Sequence, residues 1–145
     1  MGLFFGRGGR LASLVRMGNR TNAARGATVA VLSFRIAYGA ALIVAPAKVA
    51  GNRWLGAGAR EAAAQVSLRG LGAREVGLHG LALTAFLSGA PVRLLLAASV
   101  AGDLTDIGST ALAREGLPDG SAAATAAVAG GSALLTAALA ALADG

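Results

Sequence analysis

ATVAVLSFRIAYGAALIVAPA, residues 27–47, is the stretch that decides the fold class of this 145-residue chain. It contains a single charge, Arg35, and about 20 mostly apolar residues suffice for an α-helix to cross the hydrocarbon core of a bilayer. Three further stretches of similar length and character follow, at residues 68–88, 91–113 and 121–143. The pattern predicts an all-α fold, specifically an integral membrane four-helix bundle.

The overall composition points in the same direction. Hydrophobic residues make up 55% of the chain and charged residues only 14%, with a mean hydropathy of +0.65. A soluble domain normally carries about 25% charged residues. The alternative is a soluble, alanine-rich helical bundle, which four separate stretches of spanning length disfavour. We therefore expect a basic N-terminal segment at residues 1–26, followed by one domain of four transmembrane helices at residues 27–143.

The distribution of charge predicts an orientation. Twelve arginines and one lysine against seven acidic residues give a net charge of +6, and five arginines precede residue 26. In a nucleic-acid-binding protein such a segment would contact phosphates, but ahead of a membrane span it indicates a cytoplasmic anchor. Four crossings then place both termini in the cytoplasm. The expected partner is the lipid bilayer, and no nucleic acid.

Several functional classes are disfavoured by the residues themselves. The absence of cysteine excludes disulfides, iron–sulfur clusters and thiolate zinc sites, and no cofactor is predicted. The arginines also interrupt the N-terminal apolar residues, so no secretory signal is expected. Trp54, in the first loop, and Arg69, near the outer end of the second span, are predicted to anchor the bundle at the membrane interface.

Ionisable side chains inside a membrane span are costly and usually face the interior of a bundle, so each is a candidate functional residue. The candidates here are Arg35, Arg74, Glu75, His79, Asp103 and Asp106. On the third span, Ser99, Asp103, Asp106 and Thr110 lie within about 60° of one another at about 100° per residue. This spacing predicts a polar stripe that faces a partner helix.

Depth along the helices suggests which candidates pair. At about 1.5 Å of rise per residue, Arg74, Glu75 and Asp106 lie within roughly 10 Å of the outer boundary, and His79 and Asp103 lie near the midplane. We therefore predict that Arg74 pairs with Asp106 and that His79 pairs with Asp103. Arg35, in the inner half of the first span, is predicted to reach Asp103.

Four roles are open for this set. Compensated arginine–carboxylate pairs fix the register of helices. Proton handling by His79 with Glu75 or Asp103 is the second role. The third is a divalent metal held by the histidine and the three carboxylates, for which a single histidine is weak evidence, so no metal site is predicted. Recognition of a polar ligand or a lipid headgroup is the fourth.

The chain also resembles a known group of proteins. Arg35 with Gly39 and Pro46, the stretch LGAREVGLHG at residues 71–80, and the aspartates of the third span look like small four-helix bacterial membrane proteins of unknown function, DoxX-like in architecture. The resemblance covers about residues 27–143. It implies a four-helix bundle in a bacterial plasma membrane and no established activity. The quinone and sulfur chemistry of the DoxX name is disfavoured here, since the chain has no cysteine and one histidine.

The predicted function is that of a non-enzymatic structural or interaction subunit of a membrane assembly. No nucleophile is apparent beside an oriented base, which argues against an enzyme. Stripes of small residues on the second and fourth spans favour association with a second copy or with another membrane protein. The alternative function is a small proton-coupled transporter or carrier that works as an oligomer, in which the same ionisable residues line a pathway.

Overall fold

A computed structural model describes residues 7–51 and 54–142, and for residues 7–21 it describes the backbone alone. The structure is all-helical, and the described residues contain no strand, which confirms the predicted all-α class. The five α-helices are α1 (Arg7–Val44), α2 (Pro46–Ala50), α3 (Ala62–Leu87), α4 (Arg93–Leu112) and α5 (Ser121–Leu142). Two short 3₁₀ helices, Gly56–Arg60 and Arg114–Gly116, lie in the loops.

The boundaries of α1 differ from the predicted ones. The helix runs for 38 residues without interruption, so the proposed border at residue 26 is not the end of an element. Its other end lies at Val44, three residues before the predicted end of the first span. Proline lacks an N–H donor and disfavours helical backbone in the residue before it, so Ala45 leaves the helix and Pro46 opens α2.

The connection between α3 and α4 lies where the sequence indicates a reversal. Gly89 has a φ of +75°, in the left-handed region that residues with a Cβ seldom adopt. Pro91 follows two residues later, and α4 starts at Arg93. The chain therefore turns back within five residues and places α4 antiparallel to α3.

The long helices form two antiparallel pairs, α1 with α3 and α4 with α5. In the first pair, the Arg25 guanidinium lies 5.3 Å from the ring centroid of Phe86 at one end. Gly39 and Gly72 meet near the other end, where a Cβ added to Gly39 would lie 2.7 Å from the Gly72 carbonyl oxygen. Only glycine permits the backbones of α1 and α3 to approach this closely.

The interior consists of two apolar clusters separated by polar residues. The first apolar cluster comprises Leu32, Ala82, Val92, Leu96 and Leu139. The second apolar cluster comprises Leu42, Ala50, Ala59 and Leu68. On α1 and on α3, the residues between the two clusters include buried charged groups. The bundle therefore has a layer of buried charged and titratable residues between the two apolar clusters. This charged layer comprises Arg35, Glu75, His79 and Asp103.

Hydropathy identifies two membrane-spanning candidates. The segments Asn22–Val44 and Ser121–Leu142 are long and apolar enough to cross a membrane, with mean hydropathies of 1.8 and 1.7. Helices α3 and α4 do not reach that level, since they contain the charged residues of the layer. Among the described residues, hydropathy therefore supports two of the four predicted spans. Whether α3 and α4 can cross a membrane depends on how their charged side chains are paired.

Candidate functional site

Arg35 is the centre of the charged layer. Its Nε lies 2.8 Å from Glu75 Oε2 on α3, and its Nη2 and Nη1 lie 2.8 and 3.1 Å from the two carboxylate oxygens of Asp103 on α4. Nη1 also donates to the hydroxyl of Ser132 on α5. Since Arg35 itself belongs to α1, one side chain links all four long helices. Its planar fork permits this, because its donors point in fixed and different directions.

The two carboxylates that receive Arg35 are almost fully buried. Glu75 and Asp103 each expose 3% of their surface, and Arg35 exposes 8%. Isolated charges at such depth would be very costly, whereas a bidentate arginine–carboxylate pair satisfies both partners. The pair Arg35–Asp103 joins α1 to α4, and the pair Arg35–Glu75 joins α1 to α3. The charged layer therefore connects the two antiparallel helix pairs.

Arg74 adds a second cation at the rim of the layer. Its Nη2 lies 3.2 Å from Glu75 Oε1 and 3.3 Å from Asp106 Oδ2. The guanidinium rests on Gly102 of α4, where an added Cβ would lie 3.2 Å from the Arg74 Cζ. The absence of a side chain at Gly102 therefore leaves the space through which Arg74 crosses from α3 to α4.

His79 has a defined tautomer. Its Nδ1 lies 2.8 Å from the main-chain oxygen of Glu75, and its Nε2 lies 2.8 Å from Ser99 Oγ. A carbonyl oxygen only accepts hydrogen bonds, so Nδ1 carries a proton and donates it to Glu75. In the neutral ring, Nε2 is then the acceptor, and the Ser99 hydroxyl donates to it. Both side chains are 2% exposed, so this pair is sealed within the bundle.

Two of the three predicted pairings are present and one is wrong. Arg35 contacts Asp103, and Arg74 contacts Asp106. His79 does not pair with Asp103, because both oxygens of Asp103 are bound by Arg35 and the imidazole faces Ser99 instead. Counting residues along a helix predicts how deep a side chain lies in the bundle. It does not predict that Arg35 binds both oxygens of Asp103 and leaves none for His79.

Burial also differs from the expectation for two members of the set. The side chain of Arg74 is 38% exposed and that of Asp106 is 28% exposed. The prediction of a buried site is therefore wrong for Arg74, and Asp106 is only partly buried. Both residues lie on the outer side of the contact between α3 and α4. Arg35, Glu75, His79 and Asp103 form the enclosed part of the site.

The two predicted interface anchors occupy different environments. Trp54 is half-buried, packs on the second apolar cluster, and donates from Nε1 to Thr110 Oγ1 at 3.3 Å. Arg69 is exposed on α3, and its Nη1 donates to Gln65 Oε1 at 3.2 Å. Trp54 thus links the loop after α2 to the end of α4, and the anchoring role of both residues stays a prediction.

Sequence reasoning did not identify two hydroxyl groups as partners in the site, namely Ser99 for His79 and Ser132 for Arg35. Ser99 lies on the polar stripe of α4, one turn before Asp103, so helical spacing could have assigned it to His79. Ser132 gives almost no signal, because it is a small polar residue within an alanine-rich helix. Ser99 and His79 do form a hydroxyl–imidazole pair of the kind that hydrolases use, contrary to the expectation that none exists. Both residues of this pair are buried.

The arrangement does not suit a metal ion. Among the residues that the structure describes, no group of three or more histidine or acidic side chains is placed to hold one. The physical reason is that Glu75, Asp103 and Asp106 all direct oxygens toward arginine. A dication would have to displace a guanidinium at each carboxylate.

Comparison with known proteins adds no relative. The chain matched no protein-family model, no curated protein and no solved structure.

Proposed function

We propose that this protein is an integral membrane four-helix bundle of the bacterial plasma membrane and a structural or interaction subunit of a membrane assembly. In this proposal the charged layer fixes the register of the helices and is not a reaction centre. One observation carries the proposal, namely that charged and polar side chains are buried while large apolar side chains lie on the outer surface. Among the residues whose side chains the structure describes, nine polar or charged side chains are buried and thirteen large apolar side chains are exposed.

The outer surface supports the membrane part of the proposal. Each long helix exposes large apolar side chains, and soluble monomers seldom expose apolar patches above a few hundred Å². The most exposed are Phe34, Val44, Val66, Leu94, Leu112, Val128 and Leu134, which are 70–91% accessible. Lipid is the solvent that favours such a surface.

The charges of α3 and α4 are compatible with crossing a bilayer. At 26 and 20 residues, these helices are about 39 and 30 Å long, which matches a hydrocarbon core of about 30 Å. Glu75 is held between two arginines, and Asp103 accepts a bidentate pair. Charge compensation of this kind is what permits ionisable residues inside a membrane.

The sealed geometry favours a structural role over transport. A conducting pathway needs polar groups that change partners, whereas Arg35 holds Glu75 and Asp103 at 2.8 Å and His79 is enclosed with Ser99. Apolar clusters lie on both sides of the layer. In this proposal the charged layer therefore holds the helices in a fixed register.

Cysteine accessibility tests the topology, because the chain has no cysteine of its own. The positive-inside rule places the loops near Ala57 and Asp119 outside and the turn at Ala90 inside. In intact cells, an impermeant maleimide is expected to label Ala57→Cys and Asp119→Cys but not Ala90→Cys, which reacts only after permeabilisation. Recovery of the protein in the soluble fraction after a carbonate wash would contradict the membrane assignment.

A second candidate function is a small proton-coupled carrier acting as an oligomer. The observation that favours it is His79, a titratable group beside the Glu75 carboxylate at 3.4 Å within the layer. Proton flux into proteoliposomes that contain the purified protein, followed with a pH-sensitive dye, tests this function. Proton flux that is lost in His79→Gln and Asp103→Asn, while both variants fold, would favour the carrier; no flux above protein-free vesicles favours the structural role.

A further inference from the structure

The ion pair between Arg74 and Asp106 leaves part of its hydrogen-bonding capacity unused. Arg74 makes its contacts through Nη2 alone, to Glu75 and Asp106. Among the described residues, its Nε and Nη1 donate to no acceptor, and Asp106 Oδ1 accepts from no donor. Both side chains are partly exposed on the same outer side of the α3–α4 contact. One face of the molecule therefore presents free donors and a free acceptor next to each other.

The position of this face along the helices limits what can cover it. Arg74 is the thirteenth of the 26 residues of α3, and six residues of α4 follow Asp106, so the face lies about 9 Å from the outer end of α4. In a hydrocarbon core of about 30 Å, this depth lies within the hydrocarbon. Hydrocarbon offers no acceptor for the guanidinium, and unused donors in contact with it are costly. A protein surface at the same depth supplies both a donor and an acceptor to this face.

We propose that a second copy of this chain covers the face, and that Arg74 of one protomer pairs with Asp106 of the partner subunit across a two-fold axis. A two-fold interface presents the same patch on both sides, so a patch with one cation and one anion is complementary to itself. The space is available, because an added Cβ at Gly70 or Gly77 would meet nothing within 4 Å. The inference rests on the proposed membrane location and names the surface through which the subunit associates.

Charge exchange between two differently tagged copies tests this pairing. Arg74→Asp alone and Asp106→Arg alone are each expected to reduce co-purification of the two tags by about tenfold or more, since like charges then face each other. Expressed together, the two variants are expected to recover it, because each copy supplies the charge that the other lacks. The double variant Arg74→Asp/Asp106→Arg controls for folding and is expected to dimerise with itself.

Cysteine crosslinking in native membranes locates the interface independently. Gly70→Cys and Ser109→Cys, near Arg74 and Asp106, are expected to form dimers with a short bismaleimide. Val128→Cys, exposed on α5, is the matched control and is expected to stay monomeric. Equal crosslinking at Val128, or recovery only in the double variant and never between two single variants, would overturn the proposal.

The failure of this inference is distinguishable from failure of the proposed function. All variants are first sedimented with carbonate-washed membranes. Protein that sediments with the membrane and yet yields no dimer overturns the two-fold interface and leaves the membrane assignment intact. Protein that does not sediment overturns the membrane assignment itself.

Discussion

At the residue scale, the central feature is that one guanidinium contacts groups on three other helices. Arg35 donates hydrogen bonds to Asp103 from Nη1 and Nη2 and to Ser132 from Nη1, and its Nε forms an ion pair with Glu75. A lysine ammonium carries the same charge but no planar fork. The function of this residue therefore depends on shape as much as on charge.

Removing Arg35 is expected to be severely destabilising. Arg35→Leu leaves two buried carboxylates without a cation from α1, and breaking one partner of a buried ion pair costs about 3–5 kcal/mol. Arg35→Lys is expected to recover only part of this loss. The measurement is the free energy of unfolding in detergent or bicelles. Arg69→Gln, at an exposed position, is the control and is expected to change it by less than about 0.5 kcal/mol.

Ser99 offers a second test at this scale. Ser99→Ala leaves His79 Nε2 buried without a donor, and an unsatisfied buried acceptor costs about 1–3 kcal/mol. Ser33→Ala, at an exposed position of α1, serves as the matched control. Equal unfolding free energies for the two variants would show that the Ser99–His79 hydrogen bond contributes nothing. Thermal unfolding followed by circular dichroism measures the difference.

At the element scale, the contact of α1 with α3 depends on two glycines. An added Cβ at Gly72 would lie 2.6 Å from the Gly39 carbonyl oxygen and 2.9 Å from Ile43 Cγ1. Backbone cannot yield in the way that the end of a flexible side chain can. The close approach brings Arg35, one turn before Gly39, within reach of Glu75, so the crossing of the helices positions the charged layer.

Gly72→Leu is therefore expected to separate α1 from α3 and to weaken the layer. We expect a loss of unfolding free energy of about 1–3 kcal/mol or more from overpacking. Gly80→Ala is the matched control, since it has open space and alanine favours a helix by up to about 1 kcal/mol over glycine. A Gly72→Leu variant as stable as Gly80→Ala would contradict the crossing described above.

Sequence reasoning anticipated the helices better than their mutual arrangement. Hydropathy and turn residues located the long helices and the reversal at Gly89, because these depend on local properties of the chain. Helical spacing also indicated that Asp103 faces a partner. The competition for Asp103 between Arg35 and His79 could not be resolved, because it depends on the relative rotation of three helices that are distant in sequence.

At the scale of the whole molecule, the protein combines a charged interior layer with an apolar outer surface. Charged and hydroxyl groups lie at the centre between two apolar clusters, and large apolar side chains lie outside. Composition indicated the excess of apolar residues, but it did not indicate that the charges gather around one arginine. That arrangement requires all four long helices to be in place.

Replacement of the layer as a unit tests the structural role of the whole. The triple variant Arg35→Met/Glu75→Gln/Asp103→Leu removes the cation and both anions together, and such exchanges of buried ion pairs are often neutral or stabilising by about 1–4 kcal/mol. We expect it to fold and to be more stable than Arg35→Leu alone. If the triple variant were no more stable than the single one, the charges would have a role beyond mutual compensation. Unfolding free energies measure both.

The order of biogenesis follows from the position of Arg35 in the chain. Its partners Asp103 and Ser132 are translated 68 and 97 residues later. At about 5–20 residues per second, the ribosome completes α5 roughly 5–20 s after Arg35 has been made. In the proposed membrane topology, Arg35 has no carboxylate partner until Glu75 and Asp103, on α3 and α4, have been made. The last helix to emerge, α5, adds the Ser132 hydroxyl and completes the set of contacts around Arg35.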